Sequence, residues 1–291
     1  MSSTLTDSFK ELFRPQQPLW ACEFTVRHVI VTGVDGKRSR IQGRTATGIP
    51  DDVTIQDGDR FKPILEESLR TASFRGSEIV LVVPDEAARI AFVTAEALPR
   101  TVEEQNTFLR WKLKKTLPFD VDTAQIAFRV LRALKPSGYD ILVALSPRNV
   151  IQQYEALMEK LDIHAGFVIP STLAALNLLD VPNEDTLFVK IAPDCITTTV
   201  FQDKHMTFYR RVAELGVYES VYPTVLYYQD KLGGTAFKQM IVCGYNEVMR
   251  SAIAELQEKM GMPALALQPK RVDDIYKPAL GAVHLSWANL I

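Results

Sequence analysis

Among the residues whose types could do chemistry, the metal-ligating set is the easiest to weigh. His28, His164, His205 and His284 are far apart in the chain, and none has an acidic or cysteine neighbour at ligand spacing, so no zinc site is expected. Cys22, Cys195 and Cys243 stand singly, with no C-x-x-C pair, which argues for a reducing compartment and against a disulfide framework. No G-x-S-x-G or comparable nucleophile motif is present. The acidic pairs Asp51-Asp52 and Asp273-Asp274 sit beside prolines or in polar loops and read as solvated turns. The composition is that of an ordinary globular chain. Of 291 residues, 47% are apolar and 23% charged, and the net charge of −2 gives no reason to expect a nucleic-acid partner.

The elements that must position any site alternate between strands and helices, which indicates an α/β architecture. An apolar run from Leu19 to Val34 reads as strand, followed by a turn at Gly33–Gly36 and a return strand over Ser39–Thr47. A helix is expected over Asp57–Phe74, then a central parallel strand at Ile79–Val83. Thr101-Val102-Glu103-Glu104 opens a helix with a capping-box pattern, running to about Leu117, where Pro118 ends it. Strands at Ala124–Leu134 and Ile141–Leu145 follow, the second read as a buried strand, with helices at Asn149–Leu161 and Ser171–Leu179. After a polar break at Pro182–Asp185 the pattern restarts: three strands between Leu187 and Val212, a helix to Lys231, a strand at Met240–Cys243, a helix to Met260 and a strand at Ala264–Leu267. An alanine-rich helix over Pro278–Asn289 closes the chain. Two such halves imply a cleft between lobes, a common place for a ligand. The expected organisation is a leader (1–18), a first lobe (19–180) holding an insert at about 85–135, a second lobe (181–277), and a closing helix (278–291) that returns to the first lobe. No stretch reaches the roughly 18 to 20 apolar residues that span a bilayer. In the leader, Phe9, Leu12 and Phe13 share one helical face. A short helix docked on its own domain is expected there, a peripheral membrane or partner contact being the alternative.

Several stretches in this order resemble actin-like proteins of the type IV pilus assembly PilM family and the related GspL cytoplasmic domain of type II secretion. Ala97-Leu98-Pro99, Thr101–Glu104 and Arg110-Trp111 resemble that family's "ELP…EEEL…IRWE", and Leu117–Asp122 its "IPFPLEEV" turn. Ala127–Leu131 is similar to its "LDYQVL" strand, Ile141–Val150 to "VLLVAAPKEVV", and Leu161–Leu176 to "AGLKPVAVDVEAFAL". The resemblance spans about residues 19–288. It implies an actin-like (FtsA/PilM-type) two-lobed fold with a small subdomain inserted in the first lobe. It also implies a groove between the insert and the first lobe that takes the cytoplasmic tail of a PilN-like inner-membrane protein. Trp111, Leu113, Leu117, Pro118 and Phe119 are the candidates for that groove, with packing of the insert's own helix as the alternative.

Actin-like ATPases hold phosphates on glycine-containing hairpins, where a Cβ would obstruct the backbone amides, and hold the metal on an acid. The family's "DIGSSSVK" falls on Glu23–Ile30, so that its glycine is Thr25 and its small hydroxyl residues are Val26 and Arg27, with His28 beside them. Its second hairpin, "DIGASSTTL", falls on Lys190–Thr198, with Lys190 for the acid, Ala192 for the glycine, Pro193 lacking an amide donor, and Asp194. At the third turn only Gly244 survives. The three cysteines fall near these loops and read as small buried side chains. The expectation is a pseudo-ATPase scaffold, not an enzyme, with neither productive Mg-ATP binding nor another cofactor. It would be cytoplasmic, recruited to the inner face of the inner membrane by a PilN-like tail, with pilus motor or platform proteins or a second copy as further partners. The alternatives are an active Mg-ATPase or sugar-kinase relative, an anion held without metal by Arg27, His28 and Lys190, and the secretion component. That secretion relative continues into a transmembrane helix, whereas this chain stops at Ile291. The bland reading of the cleft has these residues filling it or pairing with Glu23 and Asp194.

Overall fold

A computed structural model describes residues 18–284 except 182, 214, 215, 245 and 270. The leader helix expected around Phe9–Phe13 and the last turns of the closing helix lie outside the described residues.

The first lobe begins with β1 (Trp20–Phe24), β2 (His28–Val34) and β3 (Ile41–Gly48), an antiparallel meander. Helix α1 (Gly58–Thr71) leads into β4 (Glu78–Val83), which runs parallel to β1. Helix α3 (Arg148–Glu159) leads into β8 (His164–Pro170), parallel to β4. The sheet order is β3-β2-β1-β4-β8. As its continuous Val/Ile/Leu run predicts, β4 is interior and buried on both faces from Ile79 to Val83. Alternate residues of this sheet point to two cores. Cys22, Phe24, Leu81 and Val83 meet Phe61 and Leu65 of α1 and Tyr154 and Met158 of α3. Ala21, Val80 and Val82 meet Ala174 of α4 (Ser171–Leu176) and Ala279, Leu280 and Val283 of α7 (Lys277–Val283). Gly281 lets these last two helices touch: a Cβ there would lie 2.1 Å from the Ala174 carbonyl oxygen.

The second lobe repeats the plan. Its strands β9 (Thr186–Ile191), β10 (Cys195–Gln202) and β11 (His205–Ala213) are antiparallel, and β12 (Gln239–Cys243) and β13 (Ala264–Ala266) are parallel to β9, giving the order β11-β10-β9-β12-β13. Helices α5 (Val217–Lys231) and α6 (Asn246–Met260) cover one face. Ala175 of α4 packs against the other with Phe188, Phe201, Cys243 and Leu267. Helix α4 is therefore gripped between the two sheets.

Between β4 and α3 stands the insert, a three-stranded antiparallel sheet in the order β5-β7-β6 under helix α2. The ranges are β5 (Arg89–Ala95), α2 (Val102–Leu113), β6 (Ala124–Ala133) and β7 (Tyr139–Pro147). The capping box at α2 forms as its sequence predicts, the Thr101 hydroxyl accepting from the Glu104 amide at 3.3 Å and the Glu104 carboxylate accepting from the Thr101 amide.

Three expectations change. The run from Leu19 to Val34 is two strands, because the Thr25 hydroxyl accepts the Arg27 and His28 amides (3.2 and 2.8 Å) and turns the chain. The strand at Ile141–Leu145 is the middle strand of the insert, so the insert's sheet runs on past residue 135 to Pro147. Helix α2 stops at Leu113, where the Leu113 carbonyl accepts from the amide and hydroxyl of Thr116.

Candidate functional site

Two concavities stand out: the cleft between lobes, which collects part of the set singled out by the sequence, and a groove beside the insert, which collects none of it.

The cleft is floored by β1, β9 and the start of α4. Lys190 interrupts the apolar run of β9 and is 5% exposed. Its Nζ lies 3.5 Å from Oδ2 of Asp85, at the end of β4, itself 3% exposed. Thr172 donates to Asp85 through its amide (2.7 Å) and hydroxyl (2.5 Å), and the Thr197 hydroxyl donates at 3.0 Å. One carboxylate of the first lobe is thus held by α4 and by two strands of the second. Burial would raise the Asp85 carboxyl, but Lys190 and these hydrogen bonds outweigh it and hold it below the usual carboxylate range. Glu23, 2% exposed, accepts from the Ser171 hydroxyl at 2.5 Å, while its second oxygen has no hydrogen-bond partner among the described residues. Burial pushes its carboxyl up to about 7, with Lys190 and Ser171 offsetting part of the effect. The side chains at this point were not read from the sequence as a set. Asp85, Ser171, Thr172 and Thr197 were missed. Two signals pointed to them: an acid at the carboxyl end of a central parallel strand, and the threonines 197–199 inside a wholly buried run.

Glu23, Thr25, Lys190, Ala192, Asp194 and Gly244 do line this cleft together. Arg27 and His28 do not: Arg27 is exposed at the hairpin tip, so the trio Arg27, His28 and Lys190 forms no shared cavity. Lys190 is paired with Asp85, a partner not foreseen from the sequence, and its charge also acts on Glu23. The cavity that remains is about 20 Å³, enough for a water molecule and far below the ~300–1,000 Å³ of small-molecule sites. Gly244 has a packing reason to be glycine, since a Cβ would stand 2.8 Å from the Ile191 carbonyl oxygen. Asp274, read as a solvated turn, is instead a rim residue bonded to the buried ammonium of Lys277, which also donates to the Leu267 carbonyl. Cys22, Cys195 and Cys243 are buried thiols. Among the described residues, no group of three or more His, Cys, Asp or Glu is placed to hold a metal ion.

The groove is larger, with a cavity volume of about 360 Å³. One wall is the insert sheet's outer face, Ala127, Arg129 and Leu131 of β6 with Leu142 and Ala144 of β7. The intervening residues Ile141, Val143 and Leu145 point the other way, into the core under α2. The opposite wall is Phe167–Pro170 of β8 with Leu173 and Leu176 of α4, closed by Phe201 and Met206 of the β10–β11 hairpin. β8 is an edge strand, paired only with β4 among the described residues, so its outer backbone groups face this space. Among the described residues, the charged side chains lining the groove are Arg129 and Lys204, with His205 beside them and no carboxylate.

Trp111, Leu113, Leu117, Pro118 and Phe119 line neither concavity. Leu113 is 6% exposed in the insert core, with Leu117 and Phe119 packed against it, while Pro118 is exposed. Trp111 is 68% exposed, its ring 6.3 Å from that of Phe108 and beneath the Lys112 ammonium.

A chain with two sheets of identical strand order, a helix gripped between them and a three-stranded insert can be compared as a whole with solved structures. The PilM–PilN type IV pilus biogenesis complex contains a chain that matches over 92% of this one and 98% of its own length, with a TM-score of 0.75 at 13% identity. A Bacteroides thetaiotaomicron protein described as having an actin-like ATPase fold matches over 93% and 97%, with a TM-score of 0.63 at 8% identity. The fold is actin-like. The cytoplasmic domain of EpsL, an inner-membrane component of the Vibrio cholerae type II secretion system, shares it at a TM-score of 0.52 and 12% identity, over 93% and 96% of the two chains. No protein-family model and no curated protein matches the sequence. In this actin-like frame the groove lies between the insert, β8 and α4 of the first lobe, and the β10–β11 hairpin of the second. No helix among the described residues is long and apolar enough to cross a membrane.

Proposed function

We propose that this chain is a cytoplasmic scaffold of a type IV pilus assembly platform, holding the cytoplasmic tail of a PilN-like inner-membrane protein and not hydrolysing ATP. The observation that carries the reading is the groove. An apolar trough bordered by the edge strand β8 suits an extended peptide, whose backbone runs along β8 while alternate side chains enter the pockets on either wall. The fold shared with a PilM solved together with PilN supports the choice of partner class. The closed cleft supports the pseudo-ATPase half: a nucleotide would have to part Asp85 from Lys190 and meet Lys190 where a metal-binding acid is needed. Tail capture would recruit the chain to the membrane, and the exposed Trp111 is offered to a motor or platform protein or to a second copy.

The likeness to cytoplasmic EpsL keeps a type II secretion platform as the second reading. The test is calorimetry with a synthetic peptide of the cytoplasmic N-terminus of the bitopic membrane protein encoded beside this chain, and separately with Mg-ATP. Peptide binding that is lost in Ala127→Arg supports the scaffold. Micromolar Mg-ATP binding would overturn the pseudo-ATPase half, and no peptide binding would overturn the tail groove.

A further inference from the structure

The described chain starts at Pro18, whose Cγ lies 3.2 Å from the point a Cβ on Gly166 would occupy. Gly166 immediately precedes Phe167, the first β8 residue in the groove wall. The backbone therefore enters the fold one residue along β8 from the groove. The groove's stretch of β8, Phe167 to Pro170, is about 10 Å long at ~3.3 Å per residue. The seventeen leader residues could extend to about 56 Å, so reach does not limit them. Their chemistry also matches. The leader carries Leu5, Phe9, Leu12 and Phe13 with Asp7, Lys10 and Glu11 between them, and it is the apolar side chains that suit the groove, which is apolar with Arg129 and Lys204 as its charged lining among the described residues.

We propose that the leader of this same chain, through Phe9, Leu12 and Phe13, occupies the groove when no partner does and competes with the partner's tail. The inference rests on the reading of the groove as a peptide site and adds its regulation. A short tether holds its cargo at roughly millimolar effective concentration. A leader that binds in trans with a Kd of about 100 µM would then fill the groove about 90% of the time and weaken a competing tail about tenfold. The partner must displace the leader, so capture becomes conditional on a local concentration that a membrane platform supplies and bulk solution does not.

The test uses the full chain and its triple variant Phe9→Ser, Leu12→Ser, Phe13→Ser. Backbone hydrogen exchange in the triple variant should speed up at least tenfold at β8 edge amides, with β9 and β12 unchanged as the control for folding. A fluorescently labelled synthetic peptide of residues 1–17 should bind the triple variant at least tenfold more tightly than the wild type, and should not bind when Ala127→Arg is added. Equal exchange at β8, no binding to a triple variant whose β9 and β12 are intact, or equal binding with Ala127→Arg would each overturn the proposal. So would peptide binding only to phosphatidylglycerol vesicles, which would make the leader a membrane segment. If the neighbour's tail peptide still binds the triple variant, the leader inference alone has failed; if neither peptide binds, the groove reading fails with it.

Discussion

Glu23 offers the sharpest physical test of the cleft. Replacing it with Gln keeps the shape and the capacity to meet Ser171, and removes the proton equilibrium. The ordinary value of 4.5 rises to about 7 in the fold because burial penalises the carboxylate more than Lys190 and Ser171 favour it. A group whose folded value lies above its unfolded one binds its proton more tightly when folded. Its effect is therefore absent below about pH 4.5, grows as a destabilisation between 4.5 and 7, and is complete above 7. At 1.36 kcal/mol per pH unit the full effect is about 3 kcal/mol, of which about 2.5 kcal/mol develops between pH 5 and pH 8. Urea unfolding of wild type and Glu23→Gln at both pH values isolates it, since the other titrating groups are common to the two proteins. The variant should gain about 2–3 kcal/mol on the wild type in going from pH 5 to pH 8. A change below about 0.5 kcal/mol would refute the reasoning, and would mean that Glu23 is ionised across the range and that Lys190 serves two carboxylates.

The remaining predictions concern the same two regions. Lys190→Met leaves the Asp85 carboxylate buried without its counter-charge and should cost about 3–5 kcal/mol in urea unfolding, with the double variant Lys190→Met, Asp85→Asn costing less than the single one. Gly244→Ala should cost about 1–3 kcal/mol by forcing its Cβ against the Ile191 carbonyl, a loss of stability that Mg-ATP does not offset. Leu113→Ala should cost about 2–5 kcal/mol, measured as a lower urea midpoint, whereas Trp111→Ala should leave that midpoint within about 0.5 kcal/mol of wild type.

The sequence carries the fold more legibly than the sites, and the difference is physical. Ile79–Val83 can be read as a central parallel strand because burial on both faces demands an uninterrupted apolar run, and Thr101–Glu104 as a helix start because the capping box is local. The repeat of strand, hairpin and crossover after residue 185 is equally a matter of order along the chain. The insert's limit was misplaced because β7 differs from a lobe strand only in its partners, which are set by tertiary pairing. Leu117–Phe119 stand out as a peptide surface only through the family resemblance; an exposed apolar turn and the edge of a packed core have the same composition, and only the fold turns Leu117 and Phe119 toward Leu113. The groove was hidden for the converse reason. Ala127, Arg129 and Leu131 alternate with Ile126 and Phe128, so by pattern they belong to a solvated face, and it is the neighbouring β8 that makes them a wall.

The loop substitutions and the buried network explain each other better than either explains itself. Without a cation at position 190, Asp85 and Glu23 would stand buried near each other at the ends of adjacent strands of the first lobe, a costly burial of like charge. A lysine at that position supplies a cation that never dissociates, and its Nζ already sits 3.5 Å from Asp85, with Thr172 and Thr197 taking up the remaining lone pairs of that carboxylate. On the proposed pseudo-ATPase reading, lobe closure that an actin-like ATPase obtains from a bound ligand would here be built into the chain. Such a molecule would hold its insert, β8 and the β10–β11 hairpin in one arrangement whatever the nucleotide supply, because β10 carries Thr197 of the network and Phe201 of the groove wall. A scaffold whose groove is shaped by the closed state gains from that permanence. On this argument, Lys190→Met should weaken tail binding at the groove even though Lys190 does not line it.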